Sequence, residues 1–310
     1  MLAQPDNPAD LAFLFVVDGP RLQSQAILLA ATLRQHHPSA QLIAWLPAES
    51  EIPLSEAVKA VFDVCGVACA IMPVPTQRWK QPYPHGNKIR ALALPRQARW
   101  SVFLDTDMVA LAAIEFADLP GPMQVSVVPE GIQSWSKELA RWEVAYAHFG
   151  LKVPDERIRL LRGNRRMSPP YFNGGFIAIH EPDQIDGRNF GALWYETALD
   201  FDWNAKVGNK RPWLDQITLP LTMKRFGFAA KVVDERNNCS ISNGRKLDGL
   251  DPAILHYHRT TFLRSWPRWE QIIHDVLNTV PGAQQSQVEA ALSDAGYLGE
   301  IASTDLTETH

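Results

Sequence analysis

The sequence is poor in cysteine, has no long apolar run and carries no dense stretch of basic side chains apart from a short one at residues 157–166. Its three cysteines, Cys65, Cys69 and Cys239, are too few for a disulfide framework in a chain of 310 residues. They predict buried free thiols and a reducing, cytoplasmic compartment. The apolar run at residues 11–17 ends at Asp18, so we expect neither a signal peptide nor a membrane span. The net charge of −4 argues against nucleic acid as a partner.

The composition is that of an ordinary globular protein, with 46% hydrophobic and 21% charged residues. In the first third of the sequence, apolar segments that suit strands alternate with segments of helical periodicity. We predict strands at residues 11–17, 41–46 and 67–74 and helices at residues 21–36 and 55–62. This alternation is typical of an α/β fold, in which a mostly parallel sheet is flanked by helices.

The rest of the sequence predicts more elements of the same kind. A short helix carries Asn87 and Lys88 and ends before Pro95. Residues 157–170, rich in arginine and proline, predict a mobile loop or lid, and residues 303–310 a disordered tail. Further strands are predicted at residues 100–104, 124–128, 172–180, 229–233 and 254–258, and further helices at 134–149, 190–200, 214–226, 269–277 and 287–292.

The clearest chemical signal is a pair of aspartates directly after an apolar strand. Asp105 and Asp107 follow residues 100–104, and ligands of open α/β sheets bind at the carboxyl ends of strands. Two neighbouring carboxylates suit Mg²⁺ or Mn²⁺, which keep other coordination positions for water and phosphate oxygens. The alternative is a solvated turn in which an aspartate caps the next element.

Three later motifs add polar groups to the ends of predicted elements. Asn173 precedes two glycines, which permit close approach of a ligand to the backbone, although a simple bulge is the alternative. Asp215 and Gln216 stand at a predicted helix start, where an aspartate is ordinarily a capping residue. His256 and His258 close a predicted strand, and their spacing places both imidazoles on one side of it.

In this order the motifs resemble the GT-A type of nucleotide-sugar glycosyltransferases, and they are similar to glycosyltransferase family 8 over residues 11–266. The resemblance implies a Rossmann-like GT-A fold in one domain at residues 1–302. Residues 11–130 would be its nucleotide-binding half, residues 131–266 its acceptor and donor-sugar half, and residues 267–302 its C-terminal helices. It also implies hexosyl transfer from a UDP-sugar donor, with retention, to a glycan, lipid-linked or small-molecule acceptor.

The resemblance assigns roles to the motif residues one by one. It implies a metal site at Asp105, Asp107 and His256, with Mn²⁺ preferred to Mg²⁺ and with His258 as the alternative imidazole. Asp215, Gln216 and Asn173 would be catalytic. The late segment lacks the glycine and lysine of the family pattern, so an arginine would replace the lysine at the diphosphate. Donor contacts are implied for Val17, Asp18, Asn87, Lys88, Asp105, Thr106, Gly174, Gly175, Arg259 and Arg264.

Three other functions use some of the same residues. A haloacid-dehalogenase-like phosphatase would use Asp105 and Asp107 as nucleophile and acid/base, with Asp248 and Asp251 as its further acidic pair. However, about a hundred residues precede its aspartate strand here. A sugar-nucleotide pyrophosphorylase needs a glycine-rich loop after the first strand, where residues 17–21 contain a single glycine. A non-catalytic carbohydrate-binding protein is the third alternative.

Overall fold

The structure, a computed structural model, describes residues 10–241, 249 and 251–298. Asp248 and the predicted tail at residues 303–310 lie outside these described residues. The described chain forms two compact units, each drawn from three stretches of sequence. Unit 1 comprises residues 10–14, 72–104 and 115–235, and unit 2 comprises residues 15–71, 105–114 and those described from 236 onward. The predicted domain limits and the division at residue 130 stay predictions.

Short and long strands alternate with helices along the chain, as the apolar pattern predicted. The strands are β1 Leu11–Val16, β2 Gln41–Pro47, β3 Val67–Met72, β4 Trp100–Leu104, β5 Met108–Ala110, β6 Gln124–Pro129, β7 Ile158–Arg159, β8 Met167–Ser168, β9 Phe172–His180, β10 Gln184–Ile185, β11 Arg188–Asn189, β12 Ala229–Val232, β13 Cys239–Ser240 and β14 Ile254–His256. The helices are α1 Gly19–His36, α2 Glu56–Cys65, α3 Gly86–Ala93, α4 Leu139–Ala147, α5 Phe190–Asn204, α6 Leu214–Phe226, α7 Thr260–Arg264, α8 Trp269–Thr279 and α9 Gly282–Asp294.

The largest sheet confirms the predicted α/β class. Its seven strands lie in the order β12-β6-β9-β4-β1-β2-β3. Strand β1 runs parallel to β4, and β12 runs parallel to β6, whereas β9 lies antiparallel between β4 and β6. The sheet is therefore mixed, with one long antiparallel strand in its middle.

Unit 1 is built on β4, β6, β9 and β12, with α3, α5 and α6 packed around them. Strands β4, β6 and β9 are mostly apolar and almost wholly buried, as expected where both faces of a sheet are covered. Helix α6 ends at Gly227, whose φ of 75° is the left-handed conformation that glycine adopts without strain. Beside the sheet lies a cluster of buried aromatic and aliphatic side chains, which comprises Tyr83, Trp135, Trp142, Ala145, Tyr146, Tyr171, Phe201, Ala205, Leu214, Ile217 and Leu221.

Unit 2 contains α1, α2, α8 and α9 and a separate sheet of three short strands in the order β13-β14-β5. Strand β14 is antiparallel to β5 and parallel to β13. Helix α1 packs on β5, and its Thr32 hydroxyl accepts a hydrogen bond from the Ala110 amide at 3.0 Å. This small sheet carries the residues of the predicted metal site.

Several local predictions were wrong. Helix α4 begins at Leu139, five residues after the predicted start, because the Ser136 hydroxyl bonds the Glu138 backbone and forms a turn that competes with the helix. Residues 157–170 are mostly loop, as predicted, and the short strands β7 and β8 pair antiparallel within them. Cys69 is exposed, whereas Cys65 and Cys239 are buried. The predicted mobility of residues 157–170 stays a prediction.

Strand β14 ends at His256, two residues before its predicted end. Its antiparallel partner β5 begins at Met108, opposite His256, so the ladder has no further strand residue to pair with. His258 adopts a φ of 57°, which lies in the left-handed region and is incompatible with a strand. Within the described residues, no helix has the length and apolar character needed to cross a membrane.

Candidate active site

The small sheet of unit 2 places Asp107 beside His256. Asp107 precedes β5, and its carbonyl oxygen accepts a hydrogen bond from the Tyr257 amide at 3.0 Å, directly beyond the Met108–His256 pair. The backbone ladder therefore brings together two side chains that are 149 positions apart in the numbering of the chain. The Asp107 Oδ1 atom lies 3.2 Å from Nε2 of His256.

The His256 ring is held from its other edge by an amide side chain. Nδ1 of His256 lies 3.0 Å from Oδ1 of Asn238, and the imidazole is buried. Because an amide oxygen only accepts, Nδ1 carries a hydrogen, and Nε2 faces Asp107 either with the lone pair of the neutral imidazole or with the N–H of the imidazolium. A lone pair that faces a carboxylate oxygen at this distance requires a proton or a cation between the two.

His258 belongs to the same cluster, although it does not lie in the strand predicted for it. Its ring centroid lies 3.8 Å from that of His256, and its Nε2 lies 2.6 Å from Oγ of Ser240. Asn238 and Ser240 are two positions apart, and each bonds one of the two imidazoles. The positive φ at His258 turns the chain so that this ring returns to the cluster.

The donor set of this cluster fits a divalent transition metal. One carboxylate oxygen and one nitrogen of each imidazole lie within 4.8 Å of one another, among Asp107, His256 and His258. Imidazole prefers Mn²⁺ and its neighbours in the series to Mg²⁺. Among the described residues, Asp105 is not a member of the cluster, so its predicted role as a ligand stays a prediction.

A cavity of about 760 Å³ lies in unit 2 beside this cluster. His258 belongs to both, and the cavity is also lined by Arg21 and Arg259. The guanidinium of Arg21 donates to the His258 carbonyl oxygen at 3.4 Å. Arg259 is therefore one of the cavity's two arginines, whereas Arg264 is not among its lining residues and donates to the Gly296 carbonyl oxygen at 3.3 Å.

The remaining predicted residues of unit 2 lie at the carboxyl ends of strands. The Thr106 hydroxyl is buried and donates to Oε1 of Gln25 at 2.8 Å. The Val17 amide donates to the carbonyl oxygen of Trp45 at 2.9 Å, which continues the sheet beyond β1. Asp18 stands at the N-cap position of α1, yet its side chain makes no capping hydrogen bond.

Unit 1 contains a buried carboxylate, that of Asp215. It is the second residue of α6, and the capping interpretation is wrong because Trp213 holds the N-cap position. Oδ1 accepts a hydrogen bond from the Tyr83 hydroxyl at 2.7 Å, and Oδ2 lies 3.5 Å from the Lys88 ammonium. Burial and the Asp215 charge raise the pKa of Tyr83 well above its usual value, so the phenol keeps its proton.

Lys88 reaches Asp215 across the backbone of β9. Its ammonium donates to the Gly174 carbonyl oxygen at 3.1 Å. A Cβ atom at position 174 would lie 2.7 Å from Oδ2 of Asp215 and 3.3 Å from Nζ of Lys88. A side chain at position 174 would therefore require Asp215 or Lys88 to move. Asn87, next to Lys88 on α3, accepts a hydrogen bond from Arg90 at 2.9 Å.

Asn173 and Gln216 converge on a buried glutamate, Glu130. Nδ2 of Asn173 and Nε2 of Gln216 donate to its Oε2 at 3.0 and 2.9 Å. The Tyr171 hydroxyl donates to Oε1 of Gln216 at 2.5 Å. Asn173 also accepts from the Gly175 amide at 2.8 Å, so its side chain has partners at both of its polar atoms. The polar groups of unit 1 therefore form two neighbouring clusters along β9, one around Asp215 and one around Glu130.

Sequence reasoning missed four residues of these clusters: Glu130, Tyr83, Asn238 and Ser240. Glu130 follows β6, whose register against β9 shifts between Val127 and Pro129. Such a bulge re-aims the residues beside it. The only sequence signal at Glu130 is a charged residue directly after an apolar strand, the same signal that drew attention to Asp105.

The family comparison identifies a glycosyltransferase. Residues 13–227 match the model of the Rhodobacterales glycosyltransferase domain. No curated protein sequence matches the chain significantly. The match supports glycosyl transfer and argues against the phosphatase and pyrophosphorylase alternatives.

Solved structures of glycosyltransferases resemble this fold. The apo structure of WbbM, a bifunctional glycosyltransferase, has a TM-score of 0.55 at 13% identity, over 93% of this chain and 53% of WbbM. The chain thus spans about half the length of WbbM. The galactosyltransferase LgtC, in complex with donor and acceptor sugar analogues, has a TM-score of 0.47 at 13% identity, over 94% and 98% of the two chains. Mouse xyloside xylosyltransferase 1 has a TM-score of 0.48 at 14% identity, over 80% and 97%.

At these identities structural likeness supports the fold alone, and the similarity to WbbM agrees with the GT-A fold that the sequence predicted. The family match covers residues 13–227, more than half of the chain. The chain therefore belongs to the Rhodobacterales glycosyltransferase domain family and is a glycosyltransferase of the GT-A type.

Proposed function

We propose that this glycosyltransferase is metal-dependent and transfers a sugar from a UDP-sugar, with retention, to a glycan, lipid-linked or small-molecule acceptor. The observation that carries the proposal is the cluster of Asp107, His256 and His258, whose ligand atoms lie within 4.8 Å of one another. Within the cluster, Oδ1 of Asp107 lies 3.2 Å from one ring nitrogen of His256, and the Asn238 side chain bonds the other ring nitrogen.

The cation is assigned to Asp107, His256 and His258, with Asp105 as a further predicted ligand. When bound, a divalent cation neutralises the negative charge that develops on a departing nucleoside diphosphate. Asn238 and Ser240 keep the two imidazoles oriented through their ring nitrogens. Because two of the three donors in the cluster are imidazoles, we expect Mn²⁺ to support more activity than Mg²⁺.

The diphosphate is assigned to the 760 Å³ cavity of unit 2, since His258 belongs to both the cavity and the cluster. Arg21 and Arg259 supply the positive charge that the family places on a lysine. One guanidinium group can donate hydrogen bonds to two phosphate oxygens at once, and it stays charged at every relevant pH. Val17, Asp18 and Thr106 stay predicted contacts of the nucleoside.

The sugar is assigned to the two polar clusters of unit 1. Asp215 is our candidate for stabilising the positive charge of the reacting sugar carbon, because its carboxylate is held by Tyr83 and Lys88 in a fixed orientation. Asn173 and Gln216 both donate to Glu130, so we assign them to positioning that carboxylate for sugar hydroxyl groups. Gly174 keeps the space beside Asp215 open.

Calorimetric titration with UDP tests the metal assignment. Wild-type protein is expected to bind UDP tightly with Mn²⁺ and weakly without it, and Asp107→Ala is expected to abolish the difference because a charged ligand of the cation is lost. Asp63→Ala removes an exposed carboxylate of the same unit and serves as the matched control. Wild-type UDP affinity in the Asp107 variant in Mn²⁺ would contradict the assignment.

Retention is tested separately, by NMR of the first transfer or hydrolysis product of a UDP-sugar. The anomeric configuration of the donor is expected in the initial product. Inversion would refute the assignment of Asp215 to a retaining centre and would leave the metal site untouched.

A further inference from the structure

Unit 1 contains a second cavity, of about 580 Å³, for which no sequence motif and no family comparison suggests a ligand. Its lining carries four basic side chains, Lys80, Lys206, Lys210 and Arg211, and a single carboxylate, Asp202. A surface of an acidic protein with this ratio of charges is a candidate anion site.

The cavity wall is a built structure rather than a loose group of surface side chains. Nζ of Lys210 donates to the carbonyl oxygens of Phe201 and Asp202 at 2.7 and 2.9 Å, and so satisfies two acceptors in the last turn of α5. Oδ2 of the buried Asp202 accepts from the Lys80 amide at 2.8 Å and from Nη2 of Arg211 at 2.9 Å. These contacts fix two loops, at residues 80–81 and 205–211, around the cavity.

The basic side chains of the cavity carry more positive charge than the single carboxylate of the lining can balance. Asp202 is the only acid of the lining, and Arg211 already pairs with it. In the described part of the chain, Nε and Nη1 of Arg211 are buried without hydrogen-bond partners. Burial lowers the pKa of Lys210, Asp202 acts in the opposite direction, and the charges of Lys80 and Arg211 lower it further. A multivalent anion would relieve this repulsion.

The cavity is connected to the candidate catalytic carboxylate through two side chains. The Arg211 guanidinium stacks on the Tyr83 ring, with its central carbon 4.3 Å from the ring centroid. The Tyr83 hydroxyl in turn donates to Asp215. A ligand of the cavity would therefore lie in the same unit as the carboxylate assigned to the sugar. Arg211 lines the cavity and also contacts Tyr83, the hydrogen-bond donor to that carboxylate.

We propose that this cavity binds a phosphate group carried by the acceptor. The excess of basic side chains suits a dianionic phosphate ester better than a singly charged carboxylate, and the forked guanidinium of Arg211 suits its oxygens. The donor diphosphate is assigned to residues of unit 2, which leaves this site for the second substrate. The assignment to an acceptor rests on the proposed glycosyl transfer, whereas phosphate binding itself does not.

The test is calorimetric titration with methyl phosphate and with inorganic phosphate, without divalent metal. Saturable binding of methyl phosphate to the wild type is expected. Arg211→Gln should weaken it at least about tenfold, because a charge-assisted contact is lost. Arg211 also supports Asp202, so Lys206→Gln is the second variant. Lys206 is exposed, and its loss should weaken binding about threefold. Lys152→Gln, an exposed lysine of unit 1 outside the cavity, should bind as the wild type does.

Each contrary result has a distinct meaning. Unchanged affinity in a folded Lys206→Gln and Arg211→Gln would overturn the site. Binding of inorganic but not methyl phosphate would show a free-phosphate site and overturn the acceptor assignment. Equal affinity for acetate and methyl phosphate would overturn the assignment to phosphate. Competition by saturating UDP and Mn²⁺ would place the phosphate in the donor site instead. If the wild type fails to bind UDP with Mn²⁺ while methyl phosphate binding persists, the proposed function fails and the cavity stands.

Discussion

The partly buried Asp107 of unit 2 and the buried Asp215 of unit 1 differ in the groups that face their carboxylates. Asp215 has its own cation, since the Lys88 ammonium lies 3.5 Å away and the Tyr83 hydroxyl donates to the other oxygen. Asp107 faces imidazoles, and its Oδ1 atom lies 3.2 Å from Nε2 of His256. A buried carboxylate must be paired. The Asp215 carboxylate is thus paired within the protein, whereas we propose that the Asp107 site takes up a cation from solution.

This difference explains why the two sites suit different parts of one reaction. A metal site that fills from solution is a means of recruiting a diphosphate together with its cation. A carboxylate that is already paired and hydrogen-bonded keeps one orientation whether or not a ligand is present. Variants at the two sites test this comparison. Replacement of Asp215 should lower kcat and preserve Mn²⁺-dependent UDP binding, whereas replacement of a residue of the metal cluster should weaken that binding.

The largest effect is expected for Asp215→Asn. Loss of the charge that stabilises the sugar centre should lower kcat by about 10²–10³ while Mn²⁺-dependent UDP binding persists. The variant also leaves the Lys88 ammonium without its counter-charge, so urea unfolding should show a destabilisation of about 3–5 kcal/mol. A variant with normal kcat would show that Asp215 pairs with Lys88 for structural reasons alone.

His256→Ala should affect the other site. Removal of one imidazole should weaken Mn²⁺ binding about 10–100-fold, and excess Mn²⁺ should restore UDP binding in part. His274→Ala, which removes an exposed imidazole of α8 in the same unit, is the matched control. If His258→Ala loses metal dependence and His256→Ala keeps it, the imidazole ligand is His258 alone.

A smaller effect is expected when a methyl group is placed between Lys88 and Asp215. Gly174→Ala puts a Cβ 2.7 Å from the Asp215 carboxylate, so the pair must separate and kcat should fall about tenfold. Gly282→Ala adds the same atom in open space at the start of α9, outside both candidate sites, and should leave activity unchanged. Equal activities of the two variants would mean that the ion pair adjusts without cost.

The smallest effect on activity is expected for His37→Gln, although protonation of His37 has a large effect on stability. Burial, with the nearby charges of His36 and Arg34, lowers the pKa of His37 from 6.5 to about 4, and its Nε2 accepts from the Ile114 amide at 3.2 Å. The folded protein therefore protonates His37 at a lower pH than the unfolded chain does. The associated stability is complete above about pH 6.5 and is lost as the pH falls to about 4.

The loss amounts to about 3 kcal/mol, because each unit of pKa is worth about 1.4 kcal/mol. Urea unfolding of metal-free protein at pH 7 and pH 4 measures it. His37→Gln has no proton to gain and should lose less stability over this range than the wild type. Parallel losses in both proteins would mean that His37 does not contribute to acid unfolding.

Elements with clear punctuation were predictable from the sequence. Strand β9 and helix α6 have the predicted bounds, because Pro169 and Pro170 precede the strand and Gly227 ends the helix. The structure also brings Asp107 together with His256, two residues that were named from an apolar strand and a family pattern. Their role as metal ligands stays a prediction.

The rest depends on contacts between distant parts of the chain. Tyr83 lies in an irregular segment, and only its contact with α6 distinguishes it from other aromatic residues. Asn238 and Ser240 flank and end a strand of two residues, too short to give a periodic pattern. Glu130 reaches Asn173 through a shift in strand register that no local pattern announces. Such residues were not predictable from spacing or composition.

The central claim, that imidazoles of unit 2 bind the catalytic cation, is tested most directly by pulsed electron paramagnetic resonance of Mn²⁺ bound to the protein. Electron spin-echo modulation from imidazole ¹⁴N is expected in the wild type and in Asp215→Asn. It should weaken in His256→Ala and in His258→Ala, and disappear when both are replaced. Bound Mn²⁺ without nitrogen modulation in the wild type would contradict the account, and would assign the cation to Asp105, Asp107 and the diphosphate alone.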